Sequence, residues 1–532
     1  MNQTKMNLLE DTFGNSFNID SFRRFTREFF NEAEMLSESR RIGIPREYND
    51  HINAYYTLAK YEDSEANNII VLAVELKRHT SIDRARSMQR NFISKILDDE
   101  GLEAAIVAFY TEGEPSWRLS FVRLDYTLTE KGPDIDLTPA RRYSYLVGKN
   151  EPNHTARAQL LPIFQDDKHN PSLDEIEGAF SVEKVTRDFF TVYKEKYLDL
   201  KEYLETNNAF IEETISLGFK VDKFAEQFAK KLMGQLAFLY FLQKKGWLGV
   251  RIVPKEITKG DLTLVYNSVN KVKKDMLEKV YTKIDENTYA LNIELISSKD
   301  FTDHEAEILS DIFKSNDKFD RPWGSGSRQF IRKILWEHCE RNNKNFFNDY
   351  LEPFFYDALN KKRKNHYFKS FNSKIPFLNG GLFEPIEGYH WKDINFQIPN
   401  YIFSNKKEKN RKADGILDIF DRFNFTINEA EPLEKDVAVD PEMLGKIFEE
   451  LLEVSDRKSK GAFYTPREIV HYMCQESLIN HLVNEVGVPY EDMKEFILYG
   501  EIIRDADNRR NVGYGKGFTI KESILNNSTF AH

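Results

Sequence analysis

The 532-residue chain is 41% hydrophobic and 13% aromatic, which is enough apolar material for several cores and predicts two to four globular domains. Its net charge of −11 argues against a protein that coats nucleic acid indiscriminately, and its longest apolar stretch, residues 236–242, is far shorter than the roughly 20 residues of a membrane helix. The start of the chain has no apolar signal core, so we expect a cytoplasmic protein that does not contact a membrane.

Neither the charge runs nor the cysteines of this chain form a recognisable site on their own. Basic runs lie at residues 361–364, 406–412 and 457–460; the ordinary interpretation of each is a solvated surface, and contact with DNA is the alternative. Cys339 and Cys474 are far apart and in no cluster with histidine, so neither a disulfide nor a zinc site is predicted. Both are expected to be reduced core residues.

The first part of the chain mixes helix and strand patterns. An apolar run at 69–76 is followed by a helical pattern at 83–97 and by two strand patterns, at 105–110 and 117–126, that are rich in aromatic and branched residues. This order predicts a small α/β domain. Residues 141–164 have the pattern of a connector with contacts of its own.

The apolar run ends in a motif that is typical of a nuclease. Residues 74–77 are VELK, which matches the ExK half of the PD-(D/E)xK nuclease pattern, and strand alternation puts Glu75 and Lys77 on one face. The carboxylate would hold Mg²⁺ while the lysine positions or activates the attacking water. The alternatives are that the two side chains pair across the solvated face of an edge strand, or that the domain has lost its nuclease activity.

A nuclease of this kind needs a second acidic metal ligand upstream. Asp63, in the turn-like segment YEDSEANN, has acceptable spacing; Glu62 and Asp50 are weaker alternatives, and none of the three lies in a Pro-Asp pair. Gln89 lies on the helix that follows, where many such nucleases carry a glutamine that supports the metal site. The predicted catalytic residues are Asp63, Glu75, Lys77 and Gln89, with Mg²⁺ held by Asp63 and Glu75.

From about residue 181 to residue 453 the pattern is mostly helical. The long amphipathic segment 222–245 is followed by Gly246, which favours a helix stop. Its predicted core side chains are Phe224, Phe228, Leu232, Leu239 and Leu242. We expect this middle part to be a helical scaffold.

Two clear helix starts follow near the end of the chain. Asp440, with proline next to it, predicts an N-cap before an apolar stripe. Thr465 and Glu468 fit a capping box, with Pro466 at the first helical position. The predicted helices are 441–453 and 467–485.

The second helix start lies in a stretch that resembles a known family. Residues 461–473, GAFYTPREIVHYM, resemble the cofactor-flanking motif of gamma-type N6-adenine DNA methyltransferases, particularly of type IIG restriction-modification enzymes. Three further stretches agree with that family, and the resemblance spans roughly residues 180–515. They are LAFLYFLQKKGWL at 236–248, IPFLNGGLFEP at 375–385 and PEMLGKIFEELLE at 441–453.

In that family the loop before this helix packs against S-adenosylmethionine. The resemblance therefore implies that the cofactor-binding positions are Phe463, Tyr464, Thr465 and Pro466. A helix N-terminus with free N–H groups suits the carboxylate of the cofactor, and aromatic faces suit its purine. The alternative is a well-capped helix after an ordinary loop.

Two motifs of the family are missing from the sequence. Such enzymes carry a glycine-rich loop, DPAxGSGxF, that cradles the cofactor, and an NPPY-type motif that holds the flipped adenine. Neither occurs, and the glycine-serine cluster at 323–327, WGSGS, has no preceding Asp-Pro and is predicted to be a loop. We therefore expect the N-terminal portion of a longer or split enzyme, truncated before the glycine-rich loop, that does not methylate DNA alone.

These patterns together predict an α+β multidomain protein. A nuclease-like α/β domain of the PD-(D/E)xK type with its connector is expected at 1–165, a largely α-helical scaffold at 166–435, and at 436–532 a helical lead-in to a Rossmann-like methyltransferase domain that the chain lacks. The predicted function is that of the front part of an adenine-specific restriction-modification methyltransferase, which binds double-stranded DNA and carries Mg²⁺-dependent cleavage as its candidate chemistry. The alternative is a non-catalytic DNA-binding phage-defence component with a decayed nuclease fold. The sequence predicts neither the recognition sequence nor the oligomeric state.

Overall fold

The computed structural model describes most of the chain in two compact units. The described residues are 2–37, 40–41, 43–83, 85–124, 126–128, 135–137, 140–165, 170–314, 318–378, 381–386, 389–390, 392–393, 396–406, 413–428, 433–442, 445, 465, 467–491, 493–494 and 497. The first unit comprises residues 1–126 and 140–451, and the second comprises 127–139 and 452–532. None of the described helices is long and apolar enough to cross a membrane.

Most of the strands lie in the first third of the chain, and helices predominate after it. The strands are β1 (Glu34–Met35), β2 (Arg40–Arg41), β3 (Ile52–Glu62), β4 (Asn68–Leu76), β5 (Ala104–Thr111), β6 (Ser116–Arg123), β7 (Tyr126–Leu128), β8 (Ile135–Leu137), β9 (Arg141–Gly148), β10 (Glu256–Thr258), β11 (Tyr281–Lys283), β12 (Thr288–Leu291), β13 (Tyr367–Phe368), β14 (Ser373–Lys374) and β15 (Glu434–Asp436). The α-helices are α1 (Asn2–Phe13), α2 (Ile19–Phe29), α3 (Arg86–Glu100), α4 (His154–Gln165), α5 (Leu173–Gly178), α6 (Val182–Thr206), α7 (Asn208–Ser216), α8 (Val221–Lys244), α9 (Lys259–Ser268), α10 (Lys271–Val280), α11 (Ile293–Ser297), α12 (Asp303–Lys314), α13 (Glu337–Arg341), α14 (Asn400–Phe403), α15 (Ile416–Phe420) and α16 (Arg467–Val486). Three π-helical segments are Phe330–Trp336, Phe347–Leu351 and Pro353–Leu359.

The first unit is built on an eight-stranded mixed sheet. Its strand order is β1–β3–β4–β5–β6–β9–β15, and β2 also pairs with β3. β4 and β5 are parallel and are joined through α3, and β9 and β15 are parallel, whereas the other neighbours are antiparallel. The mixed α/β character is therefore confirmed. The predicted apolar run, helix and two strands of the first part correspond to β4, α3, β5 and β6.

The connector predicted at residues 141–164 is wrong in its first part. Arg141–Gly148 is β9, an interior strand that pairs with β6 on one side and β15 on the other. The side chains of Tyr145 and Val147 are buried in the core, which is the period-two pattern of a strand. The turn signals that follow this short segment favoured a connector.

The sheet has one apolar face and one face that is partly polar. Val71 and Ala73 of β4, like Trp117 and Leu119 of β6, belong to a large hydrophobic core that also includes residues of α1, α2, α6 and α8. The opposite face lies against α3 and carries polar side chains such as Arg118. One core thus continues from the sheet into the helical part of the first unit. The domain boundaries at residues 165 and 435 stay predictions.

The structure confirms the predicted helix end and loop around Gly246. α8 ends one residue from its predicted end, and all five of its predicted core side chains are buried. Gly246 has a φ of +70°, and a Cβ there would lie 2.3 Å from the carbonyl oxygen of Gly324. Residues 323–327 form a loop, in which the N–H groups of Gly324 and Gly326 donate to the carbonyl oxygen of Gly246 at 3.1 and 2.9 Å. Glycine is required at Gly246 because the two backbones touch.

The second unit contains α16 and most of a short hairpin formed by β7 and β8. α16 confirms the helix predicted at 467–485. Ile479, Val488 and Met493 form a small apolar cluster in this unit. Cys474 on α16 is exposed and Cys339 in the first unit is buried, so the prediction of a core cysteine holds only for Cys339.

Candidate functional site

Glu75 and Lys77 lie at the end of a central strand of the large sheet. Glu75 pairs with Ala54 of β3 on one side and with Tyr110 of β5 on the other. Lys77 directly follows β4, and its N–H donates to the carbonyl oxygen of His51 at 2.8 Å. Both side chains are half-buried. The alternative in which they pair on an edge strand is therefore wrong, because β4 has a neighbour on each side.

An amide side chain orients the carboxylate of Glu75. The Nδ2 atom of Asn53 donates to Oε1 of Glu75 at 2.5 Å. The register between β3 and β4 shifts between Ile52 and Ala54, so Asn53 occupies an irregular position in the strand. Such irregularities re-aim side chains, and here the result is an amide donor on the carboxylate. A neutral donor orients Glu75 without cancelling its charge.

Asp63 lies at the opposite end of the same hairpin. It directly follows β3, whose last residue pairs with Asn68, so the whole length of β4 separates it from Glu75. Seven strand residues span roughly 23 Å. The structure therefore does not bring these two predicted metal ligands together. This separation corrects the prediction, because a turn-like sequence and suitable spacing do not fix which end of a hairpin a residue occupies.

The carboxylate of Asp63 instead holds the turn between β3 and β4. It accepts hydrogen bonds from the backbone N–H groups of Glu65 at 2.9 Å, Asn67 at 2.8 Å and Leu173 at 2.8 Å. Burial acts to raise the pKa of Asp63, but the hydrogen bonds from Asn67, Leu173 and Glu65 outweigh it and keep that pKa below its ordinary value. Asp63 is a structural residue of the turn.

Asp50, the weaker alternative, lies at the same end of the hairpin as Glu75. It precedes β3 by two residues, and its carbonyl oxygen contacts the Nε2 atom of His79 at 2.7 Å. The adjacent His51 bonds to the backbone of Lys77. Asp50 is exposed. The hairpin register thus places Asp50, and neither Asp63 nor Glu62, beside the end of β4.

Gln89 lies on the other face of the sheet from Glu75. It is fully buried on α3, where its Oε1 accepts from Arg142 at 2.6 Å and its Nε2 donates to the carbonyl oxygen of Ile82 at 3.2 Å. Phe109 precedes Tyr110, the strand partner of Glu75, so its side chain points to the opposite face of the sheet. The guanidinium of Arg142 lies 5.2 Å from the ring of Phe109 and is therefore on that opposite face as well. The sheet separates Gln89 from Glu75, and the predicted metal-supporting role is corrected.

A buried ionic cluster on this second face was missed from the sequence. Arg118 donates to Asp436 at 2.7 Å and to Asp83 at 2.9 Å, and Arg142 lies 3.8 Å from Glu434. Burial would raise the pKa of Asp436, but Arg118 holds it well below its ordinary range. Burial lowers the pKa of Arg142 to about 10. The sequence signal was the pair of arginines at inward strand positions, which calls for carboxylate partners. Asp83 supplies one of them to Arg118, and β15 supplies the others.

A basic cleft of about 320 Å³ lies at the same end of the sheet as Glu75. Its wall includes residues 149–152, which directly follow β9. Gly148 of β9 pairs with Ser116 at the start of β6, while Thr111 at the end of β5 pairs with Leu76 at the end of β4. Through these pairings the ends of β4, β5 and β9 lie at one edge.

Most of the predicted S-adenosylmethionine positions lie outside the described residues. These are Phe463, Tyr464 and Pro466. Thr465 is described and exposed, two residues before the start of α16. The helix is confirmed, and contact with the cofactor stays a prediction.

The structure and the comparisons with known proteins support a coarse assignment. Among the described residues, no group of three or more His, Cys, Asp or Glu side chains is placed to hold a metal ion. The chain is 28% identical over 169 residues to a protein of Methanocaldococcus jannaschii that carries the provisional name type II restriction enzyme and methyltransferase. The alignment covers 30% of this chain and 13% of that protein. No family model and no solved structure matches the chain. The partial similarity supports, at most, a link to restriction-modification proteins.

Proposed function

We propose that this chain is a restriction-modification protein that binds double-stranded DNA and cleaves it with Mg²⁺ at Glu75 and Lys77. One observation carries the proposal: the two side chains sit two residues apart at the open end of a central strand, with Asn53 holding the carboxylate. The similarity to the Methanocaldococcus protein supports DNA as the substrate class.

The residues at this end of β4 suit a Mg²⁺ ion that also contacts a phosphate group of the substrate DNA. Mg²⁺ is commonly held by one or two carboxylates together with substrate phosphates and water. Glu75 would be the first carboxylate and Asp50 the second. When bound, the ion would polarise the phosphate and lower the pKa of a bound water.

Lys77 supplies the positive charge beside that carboxylate. Its ammonium group would donate to a phosphate oxygen and orient the attacking water, whose oxygen forms a bond to phosphorus as the bond to the leaving oxygen breaks. The attacking water releases a proton to solvent, and the leaving oxygen takes one up from solvent. The half-buried setting favours such contacts, because charges interact more strongly away from bulk water.

Isosteric variants test the assignment and identify the second ligand. We expect Glu75→Gln and Asp50→Asn to abolish Mg²⁺-dependent cleavage of plasmid DNA while DNA binding is retained. Glu62→Gln, at an exposed position at the far end of the hairpin, serves as the matched control and should still cleave. Cleavage by Glu75→Gln at the wild-type rate would refute the site.

A second candidate function is a non-catalytic DNA-binding component of phage defence. It is favoured by the absence of a three-ligand metal group among the described residues and by the positions of Asp63 and Gln89 away from Glu75. It predicts DNA binding that weakens steeply with salt, with no cleavage in Mg²⁺ or Mn²⁺. Cleavage that Glu75→Gln removes would exclude it.

The methyltransferase role belongs to the proposal only through the family resemblance. Phe463, Tyr464, Thr465 and Pro466 would contact S-adenosylmethionine, but this sequence contains no glycine-rich cradle. We expect weak or no binding in a calorimetric titration with S-adenosylmethionine, and no methylation of adenine by this chain alone. Tight binding would contradict the account.

A further inference from the structure

We propose that the basic cleft beside the end of β9 holds the sugar–phosphate backbone of one DNA strand. The inference rests on the proposed function, because it assumes that the chain binds DNA, and it names the surface that does so. Three features carry it: the charge of the lining, the exposure of several of its cations and its position relative to Glu75.

The lining is strongly basic in a chain with a net charge of −11. Of the described residues that line the cleft, six are basic and two are acidic. The basic residues are Lys149, Lys244, Arg328, Arg332, Lys333 and Lys406, and the acidic ones are Glu151 and Asp421. A low-dielectric concavity lined by one sign of charge concentrates ions of the other sign. The volume of about 320 Å³ admits a sugar–phosphate unit of one strand, so the second strand of a duplex would lie outside the cleft.

Two of these cations are fixed within the protein. Arg332 donates to Asp421 at 2.6 Å, Asp418 at 2.8 Å and Ser404 at 2.9 Å, so its guanidinium is fully engaged. Lys244 is paired with Glu151 at 3.0 Å. These residues form the wall of the cleft.

The other cations lie at the mouth of the cleft, where a phosphate group can reach them. The side chain of Lys333 is 58% exposed and makes only a pair within its own helical turn, and that of Lys406 is 54% exposed and lies 4.0 Å from Asp421. Exposed ion pairs of this kind contribute little to stability, so each lysine can exchange its carboxylate partner for a phosphate group. Lys149 is exposed as well.

Arg328 is held at the mouth by the glycine-containing loop that precedes it. The N–H of Ser327 donates to the carbonyl oxygen of Leu248 at 2.8 Å. The Arg328 guanidinium reaches Asp83 at 3.3 Å, and Asp83 also accepts from Arg118. Asp83 lies in the connection between β4 and α3, so this chain of contacts links the cleft to the segment that follows Lys77.

The cleft is within reach of the candidate cleavage site. Its wall follows β9, which is three strands from β4, and three strand spacings amount to about 14 Å. A few nucleotides of extended DNA strand are long enough to span that distance.

A second, less basic cleft provides the control. This cleft of about 280 Å³ is lined by three residues of the run at 361–364, namely Lys361, Arg363 and Lys364. Of the described residues that line it, five are basic and three are acidic, an excess of two positive charges against four in the first cleft. Lys361 and Lys364 are each 59% exposed, about as much as Lys333, so their substitution removes the same charge from a similarly exposed setting.

Salt dependence of DNA binding distinguishes the two clefts. We compare wild type, Lys149→Gln/Lys333→Gln and the control Lys361→Gln/Lys364→Gln, which loses the same charge, by fluorescence anisotropy with a labelled duplex in the absence of divalent cations. Loss of two phosphate contacts lowers the slope of log affinity against log salt by about 1.8, which weakens binding about 60-fold at about 0.1 M salt. We expect this change in the cleft variant and less than a third of that slope change in the control.

Each other outcome overturns the inference. Equal losses in both variants would mean that only net charge matters, and an unchanged slope in the cleft variant would place the DNA elsewhere while the proposed function stands. If the wild type binds no DNA at all, the proposed function itself fails. Circular dichroism of the variants verifies that these exposed substitutions leave the fold intact.

Discussion

At the scale of single residues, Glu352 leads to a pH-dependent prediction. It is 2% exposed in the helical part of the first unit, where it accepts from the hydroxyl of Tyr389 at 2.7 Å and the amide of Asn348 at 3.2 Å. Burial raises the pKa of Glu352 to about 8 despite these hydrogen bonds. Between about pH 4.5 and pH 8 the folded protein retains a proton that the unfolded chain has lost, so this residue makes the protein less stable as pH rises, by roughly 1.4 kcal/mol for each unit of pKa difference.

The expected result for Glu352→Gln is a flatter stability profile between pH 5 and pH 8, measured by urea unfolding at a series of pH values. Glu305→Gln is a control of opposite sign, because Lys279 and the N–H of Thr302 lower the pKa of Glu305 to about 2. That carboxylate stabilises the fold above about pH 4.5, and its contribution is lost as pH falls toward 2. Identical profiles for wild type and Glu352→Gln would contradict the prediction.

Only part of the candidate site could be predicted from the sequence. Glu75 lies at the end of β4 because the apolar run that forms this strand ends there, which is a local property of the sequence. The positions of Asp63 and Gln89 depend on the register of a hairpin and on the face of the sheet that a crossover helix covers. Both are set by packing far from the motif, so spacing along the chain did not determine them.

At the scale of elements, the large sheet depends on a strand from far along the chain. β15 pairs with β9 and supplies Glu434 and Asp436 to the buried arginines. β4, α3, β5 and β6 could be predicted because each carries its own periodicity. The three residues of β15 carry none, and their pairing follows from the charges they neutralise.

Removing one partner of this cluster should be costly. We expect Asp436→Asn to destabilise the protein by about 3–5 kcal/mol, because it leaves the buried guanidinium of Arg118 without its closest carboxylate. Asp174→Asn removes a 77% exposed partner of Arg123 at the same 2.7 Å distance and should cost at most about 0.5 kcal/mol. Guanidinium chloride unfolding measures both, and equal losses would show that burial does not decide the effect.

Two glycines distinguish the stability cost of a strained backbone conformation from the cost of a close contact. Gly246 and Gly101 have similar φ values, +70° and +66°, but a Cβ on Gly101 meets nothing within 4 Å whereas one on Gly246 meets the backbone of Gly324 at 2.3 Å. We expect Gly101→Ala to cost about 1 kcal/mol and Gly246→Ala a further 1–3 kcal/mol by thermal unfolding. Equal losses would mean that the loop moves away freely.

At the scale of the whole molecule, one hydrophobic core joins the sheet to the helices of the first unit. Sequence periodicity predicted the helical scaffold and α8 almost to the residue. It did not show that α6 and α8 share a core with β4 and β6, because helix and strand patterns report which face is buried and not what covers it.

This shared core makes a prediction about fragments. Residues 1–165 alone lack β15, α6 and α8, so Arg118 and Arg142 lose Glu434 and Asp436. The apolar face keeps α1 and α2 but loses the part of its cover that α6 and α8 provide. We expect the fragment to lack a cooperative thermal transition and to bind the dye ANS, in contrast to the full chain. A cooperative transition at the full-chain temperature would show that the front segment folds independently.

The late arrival of β15 also sets an order of events during synthesis. Arg118 and its partner Asp436 are 318 residues apart, and a ribosome adds about 5–20 residues per second, so roughly 15 to 60 s pass between the emergence of the two. During that interval β9 is an unpaired edge and the arginines face water. The sheet that carries Glu75 is therefore completed only when most of the first unit has been synthesised. Assembly of this sheet thus waits until the helices that follow it in the chain have been made.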